Sequence, residues 1–145
     1  MRNKFLTVLT CLFCTLCFSQ KEITWNDLAN VTYTEKYFKH YDGYFMYPEF
    51  SNDLHALEGE QVTLKGYFLS MDEEQHLYIL SKGPMASCYF CGQGGPETAV
   101  ELQFKNKEKF KTDDIVAITG TLKLNKDDVE HFNYILTNCK GKIIK

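Results

Sequence analysis

The chain has 145 residues, a net charge of −3, 44% hydrophobic residues and 24% charged residues. This length fits one folded domain that can bury a core of its own. The negative charge argues against a nucleic-acid partner, because binding a polyanion requires a basic surface that releases counterions. The lysine-rich run at 105–111 does not supply such a surface, since acidic residues flank it on both sides.

Residues 1–19 have the pattern of a secretory signal peptide. Arg2 and Lys4 precede an apolar run at 5–18, which is too short to cross a bilayer core of about 30 Å. Cleavage after a small residue would make Gln20 the mature N-terminus. We therefore expect a periplasmic or secreted protein with no membrane span after signal cleavage.

Removal of this segment changes both the charge and the cysteine count. Loss of Arg2 and Lys4 lowers the number of basic residues from 16 to 14, so the net charge goes from −3 to −5. Of the six cysteines, three leave with the signal and three remain: Cys88, Cys91 and Cys139. An odd number in an oxidising compartment permits one disulfide with a free thiol, or a three-thiolate metal site.

From residue 61 onward, short segments of alternating apolar and polar residues are separated by polar turns, which predicts β-strands. Strands are expected at 61–71, 76–81, 98–104, 115–124 and 132–139. Gly66 and Gly120 interrupt the first and fourth, as expected where strands bend or bulge. The pattern predicts a mainly β fold, a small five-stranded OB-like Greek-key barrel. The expected core residues are Val62, Leu64, Leu77, Ile79, Val100, Leu102, Val116, Ile118, Leu122, Tyr134 and Leu136.

Residues 20–58 are expected to form a short N-terminal α/β extension to the barrel domain at 59–145. Thr24 and Ser51 each precede a short segment with helical spacing of apolar residues, so both are expected to be helix N-caps. The second helix is expected to stop at Gly59.

An aromatic-rich segment, KYFKHYDGYFMYPEF, follows the predicted edge strand VTYTEKY of this extension. Aromatic side chains bury the largest area per residue, so we expect this segment to pack over the barrel mouth as core. The alternative is that its aromatic side chains line a ligand groove.

The loop SCYFCGQGGPE, residues 87–97, contains the pair Cys88 and Cys91. Two thiolates at this spacing can share one tetrahedral ion such as zinc, and Gly92 lets the turn direct backbone N–H groups at sulfur. The remaining ligands of a closed zinc site would have to come from Cys139 and one histidine among His40, His55, His76 and His131. Cys139 is not expected to take part, because parallel third and fifth strands would place it roughly 20 Å from the start of strand three. The predicted metal ligands are therefore Cys88 and Cys91.

Two alternatives for the same pair remain open. An exported C-x-x-C pair is expected to oxidise, and its short ring to be easily reduced, which would suit a thiol–disulfide protein. The residues after Cys91 do not predict the helix N-terminus that activates a thioredoxin-type thiol. A structural disulfide that pins the loop fits the pattern as well as a metal site does. No catalytic motif is present, so the sequence does not predict an enzyme.

The segments LEGEQVTLKGYFLS, LSKGPMASCYFCGQGGPETAVELQF and VAITGTLKLN resemble a family of exported bacterial domains of unknown function. The resemblance covers roughly residues 45–137. Its most specific part, C-x-x-C-G followed by G-P-E, falls on Cys88, Cys91, Gly92, Gly95, Pro96 and Glu97. The resemblance implies an OB-like barrel with a C-x-x-C loop before strand three and a loose association with metal transport, without an accepted activity. Cys139 is not part of the family pattern.

The sequence thus predicts an exported binding or accessory module whose cysteine loop binds a thiophilic metal such as zinc. Its expected partner is a protein or a metal ion of the cell envelope. The alternatives are a thiol–disulfide protein, or a structural disulfide in a partner-binding domain.

The mature protein is expected to begin at Gln20, because signal cleavage follows a small residue and Ser19 is the small residue directly before Gln20. Mass spectrometry of protein recovered from the periplasm or the culture medium tests this expectation. An intact Met1, or a lipid attached to Cys17, would contradict it.

Overall fold

The computed structural model describes residues 20–106 and 108–145, so the expected signal segment at 1–19 lies outside the described residues. The helices are α1 (Trp25–Leu28) and α2 (Asn52–Leu57). The strands are β1 (Lys21–Glu22), β2 (Val31–Phe38), β3 (Gly43–Phe50), β4 (Gln61–Asp72), β5 (Leu77–Ser81), β6 (Ala99–Phe104), β7 (Ile115–Leu124) and β8 (Tyr134–Ile143). The predicted mainly β class is confirmed. Within the described ranges, no helix is both long and apolar enough to cross a membrane.

Five strands close into a barrel in the order β4, β5, β6, β8 and β7, with β7 pairing back onto β4. All neighbours in this barrel are antiparallel except β6 and β8, which run parallel. The predicted five-stranded closed barrel and its parallel third and fifth strands are confirmed. The strands β4, β5, β6 and β7 match the predicted bounds within one residue. Strand β8 begins two residues later than predicted and continues to Ile143.

Gly66 and Gly120 lie where backbone segments approach closely. A Cβ at Gly66 would lie 2.6 Å from the carbonyl oxygen of Ser81 and 2.9 Å from the ring of Trp25. A Cβ at Gly120 would lie 3.0 Å from a carbonyl oxygen of β8. The ladder between β7 and β8 is irregular at this point, where Asn138 has a φ of 54°. The expected irregularity is therefore present at Gly120, with the extra residue on β8 opposite the glycine, whereas the β4–β7 register continues unbroken through Gly66.

The barrel interior contains most of the predicted core, but the prediction for β5 is wrong. Leu77 is 36% exposed, and Ile79 is buried on the outer face of the strand in a second apolar cluster. Tyr78 and Leu80 point to the interior instead. The error has a physical reason: the cysteine loop covers the outer face of β5, so both faces are apolar and alternation does not identify the inner one.

The N-terminal extension shares the barrel core. Leu28 of α1 and Leu54 of α2 are fully buried and belong to the same apolar cluster as the barrel residues. Both predicted caps are confirmed, because Thr24 forms a capping box with Asp27 and the Ser51 hydroxyl accepts from the Leu54 N–H at 3.4 Å.

The strands β2 and β3 form a separate two-stranded antiparallel sheet. Tyr44 is 72% exposed and Met46 is 57% exposed, so the expectation that this aromatic segment packs over the barrel as core is wrong for the distal half of the hairpin. Only the proximal end reaches the core, where the Phe50 ring lies 5.6 Å from that of Tyr134. A strand of this length spans about 27 Å, so its far end projects beyond the core.

Substitution of Leu64 by alanine is expected to lower the free energy of unfolding by about 2 to 5 kcal/mol, since it removes buried apolar surface and leaves a cavity. Leu64 is 1% exposed. Leu77→Ala is the matched control, because the same atoms are removed from an exposed position and the loss should stay below about 1 kcal/mol. Urea denaturation of both variants measures the difference, and equal losses would contradict the assigned orientation of β5.

Candidate functional site: a groove beside the cysteine loop

The cysteine loop, residues 82–98, joins β5 to β6 and is held at both ends. The Lys82 N–H donates to the Thr98 carbonyl at 3.0 Å, and the Met85 N–H donates to Asp113 Oδ1 at 2.7 Å. The loop contains three 3₁₀ turns at Met85–Ser87, Tyr89–Cys91 and Pro96–Thr98. It is therefore more regular than its glycine and proline content predicts. No helical turn begins at residues 92–95, so Cys91 does not lie at a helix N-terminus, as the sequence predicts.

The two cysteines of this loop have different surroundings. Cys88 is 2% exposed and packs with Leu69, Ile79 and Ala99 in the apolar cluster outside the barrel. Cys91 is exposed, and its thiol donates to the Met85 carbonyl with Sγ at 3.3 Å. The Cys91 N–H donates to the Cys88 carbonyl at 3.0 Å, so the pair spans one turn. Both thiols are free.

The third thiol lies elsewhere, in the core of the barrel. Cys139 is opposite Phe104 in the β6–β8 register, whereas the cysteine loop enters β6 at Ala99. These positions are about 16 Å apart along the strand. Burial raises the pKa of Cys139 to about 12, so it remains a neutral thiol and a poor metal ligand. In residues 20–106 and 108–145, no three side chains of His, Cys, Asp or Glu gather to hold a metal ion.

A buried carboxylate on β6 organises the other side of the site. Glu101 is 5% exposed and accepts from His131 Nδ1 at 2.9 Å and from the Phe132 N–H at 3.3 Å. Gln103 Nε2 also donates to Glu101, at 2.9 Å. The loop between β7 and β8 is thereby fastened over the outer face of the barrel. Sequence alternation missed this role, because Glu101 occupies an outward position that resembles any solvated strand residue.

Asn125 fixes the shape of the same β7–β8 loop. Its side-chain Nδ2 donates to the carbonyls of Asp128, His131 and Phe132 at 2.7, 3.2 and 3.1 Å. Its Oδ1 accepts from the Asp128 N–H at 3.2 Å. The only sequence signal for this role is an asparagine at the start of the NKDD turn, where such side chains commonly bond to nearby backbone groups.

These elements enclose a groove of about 440 Å³. Three segments line it: β3 contributes Tyr44, Phe45 and Met46, the cysteine loop contributes Tyr89 and Pro96, and the β7–β8 loop contributes Lys126 and residues 128–133. Beside it, Phe90 is 51% exposed, with its ring 5.9 Å from that of Phe132. The hairpin and the β7–β8 loop are connected by an ion pair between Lys36 and Asp127 at 3.4 Å.

A polar atom without a partner lies near this groove. The hydroxyl oxygen of Tyr33 is buried close to the side chains of Asn133 and Glu97, but it forms no hydrogen bond of good geometry with a described residue. Burial raises the pKa of Tyr33, the nearby Asn133 side chain opposes this shift, and Glu97 and Tyr89 raise the pKa further, so the phenol is a neutral donor at neutral pH. A buried hydroxyl without a good hydrogen bond is rare in folded proteins, and a polar group of a bound ligand could form that bond.

Comparisons with known proteins support the fold and leave the activity open. No family model matches the sequence, and no curated protein matches it. The structure is similar to a crystal structure of a DUF3299 family protein from Pseudomonas aeruginosa, with a TM-score of 0.55 and 15% identity over 88% of this chain and 97% of that chain. At this identity the likeness shows the fold alone, which is shared with a member of an uncharacterised bacterial family. It carries no information about the C-x-x-C-G loop.

The bond between His131 and Glu101 makes a pH-dependent contribution to stability. Hydrogen bonding to Glu101 raises the pKa of His131, although partial burial opposes this shift. Because the pKa is raised on folding, the stabilisation is fully present below the ordinary histidine pKa of about 6.5 and is lost as the pH rises through the folded-state value.

An NMR titration of the His131 imidazole tests this prediction, with Glu101→Gln as the comparison. The pKa of His131 should fall in the variant, and the pH dependence of the melting temperature in this range should become weaker. An unchanged titration of His131 would contradict the assigned hydrogen bond.

Proposed function

We propose that the protein is an exported binding module and that the groove beside the cysteine loop is its binding surface. The observation that carries this proposal is the exposure of large apolar side chains around one concavity, with Tyr44, Met46 and Phe90 each more than half exposed. Clustered exposed apolar surface is uncommon in soluble proteins and typically marks an interaction site. The Tyr33 hydroxyl, which is buried close to the lining residues Tyr89 and Asn133 without a hydrogen bond of good geometry, supports this interpretation.

Nile red, a neutral apolar dye, is a suitable probe for this surface. Its fluorescence should rise on binding to the wild-type protein, and the variant Tyr44→Ser/Met46→Ser should bind it about tenfold more weakly or worse, because the apolar wall is removed. Both residues are exposed, so the variant is expected to fold.

Ile143→Ser serves as the matched control, since Ile143 is 54% exposed and does not line the groove. Its affinity for the dye should equal that of the wild type. Equal dye binding by all three proteins would refute the groove as the binding surface.

A second candidate function uses the two cysteines of the loop. The observation that favours it is that Cys88 and Cys91 are free thiols at the ends of one turn, with Cys91 open to solvent. This spacing suits a thiophilic ion such as zinc, or a disulfide in an oxidising compartment. In the latter case the module would be a thiol–disulfide protein, or would use the bond to stiffen the loop.

Metal analysis and a thiol count on protein purified from the periplasm distinguish these cases. Near-stoichiometric metal with three thiols would support the metal site, whereas one thiol and no metal would support the disulfide. Cys88→Ser or Cys91→Ser should abolish either one, and Cys139→Ser should leave it unchanged, because that thiol is buried in the barrel core. Loss of the metal or the disulfide in Cys139→Ser would contradict the assignment.

A further inference from the structure

We propose that the groove binds an extended, basic segment of a partner polypeptide, an inference that rests on the proposed function. Its first support is the charge around the groove. Asp128 and Glu130 are exposed on the lining of the groove, and Glu97 is half-buried next to the lining residue Pro96. None of the three forms an ion pair with a described residue.

The positive charges near the groove offset these three carboxylates only in part, through Lys126 on the lining and Lys123 close to His131. His131 is bound to Glu101, and Lys36 is paired with Asp127. Lys126 is therefore the one basic side chain of the lining that has no ion pair among the described residues. A groove with excess negative charge attracts a cationic partner and repels an acidic one.

The negative charge reaches the hairpin tip across the groove. Burial and then the charges of Glu130 and Asp128 raise the pKa of Tyr41. Asp128 and Glu130 also line the same groove as Tyr44 and Phe45 of the hairpin, so carboxylates and aromatic rings border one cavity.

The aromatic rings provide a second means of holding a cation. Lys36 Nζ already lies 3.9 Å from the centroid of the Tyr47 ring in the same hairpin. Tyr44 and Phe45 present further rings on the groove side. An arginine or lysine side chain that enters the groove would meet ring faces and carboxylates together, which is a favourable environment for a cation.

The backbone of β3 indicates a polypeptide instead of a small amine. Among the described strands, β3 pairs only with β2, so its other edge has unpaired backbone groups along the groove. Pro48 has no backbone N–H to donate near the end of the strand, so the part of β3 available for pairing is residues 43–47. An extended peptide can add to such an edge as a further strand, with alternate side chains entering the groove.

A second copy of this chain is a poorer occupant. The chain has a net charge of −3, and two copies would bring two acidic grooves together. The partner is therefore expected to carry the opposite charge.

Fluorescence anisotropy with defined peptides tests the proposal. The probe is a fluorescein-labelled peptide of alternating arginine and valine, as long as β3, and the comparison peptide has glutamate in place of arginine. The arginine peptide should bind the wild-type protein, and Asp128→Asn/Glu130→Gln should weaken it by about tenfold. Asparagine retains the oxygen that accepts from the Glu130 N–H at 3.1 Å, so the loop shape is kept.

The matched control is Glu73→Gln/Glu74→Gln, which removes the same charge from the exposed turn between β4 and β5. Its affinity for the arginine peptide should equal that of the wild type, which separates a local effect of the groove from the net charge.

Other outcomes would overturn the inference and leave the groove in place as a binding surface. These are equal binding of the glutamate peptide, equal affinity for free arginine amide, or dimerisation of the protein that the arginine peptide does not reverse. Failure of every peptide while Nile red still binds in a Tyr44-dependent manner would do the same. Failure of both the peptides and the dye would refute the proposed function as well.

Discussion

The rest of the structure depends on the two edges of β4. This strand pairs with β7 along Gln61–Tyr67 and with β5 along its second half, while β1 occupies the remaining edge at Val62 and Thr63. Both edges are therefore used, and the barrel closes without a free strand edge. The hairpin of β2 and β3 does not pair with this sheet and forms a separate ribbon, whose outer half projects past the core and presents aromatic side chains to solvent.

Barrel closure also makes an outer surface that two loops must cover. The cysteine loop packs Cys88 against β5, and the β7–β8 loop covers Glu101 on the outer face of β6. The carboxylate can be buried because His131, Phe132 and Gln103 donate hydrogen bonds to it, since an unpaired buried charge would be costly. The two loops meet through Tyr89 and Phe132, which pack on the same outer cluster. The groove is the space that remains between these loops and the hairpin.

This arrangement places the two proposed functional features side by side. Cys88 anchors the loop that supplies Tyr89 to the groove, and Cys91 lies at the opposite end of the same turn. A metal ion or a disulfide at this pair would hold one wall of the groove in a fixed position. The thiol pair and the proposed binding surface are thus neighbouring parts of one structure.

Strand positions, both helix caps and most of the core follow from the sequence itself, because hydrophobic alternation and capping residues act over a few neighbouring positions. The face of β5, the burial of Glu101 and the exposure of Tyr44 and Met46 do not follow from it. Each depends on whether a segment distant in sequence covers that position, and alternation reports only which residues share a face. The C-x-x-C pair is visible in the sequence as a motif, whereas the burial of Cys88 and the exposure of Cys91 arise only when the loop folds onto the outside of a closed barrel.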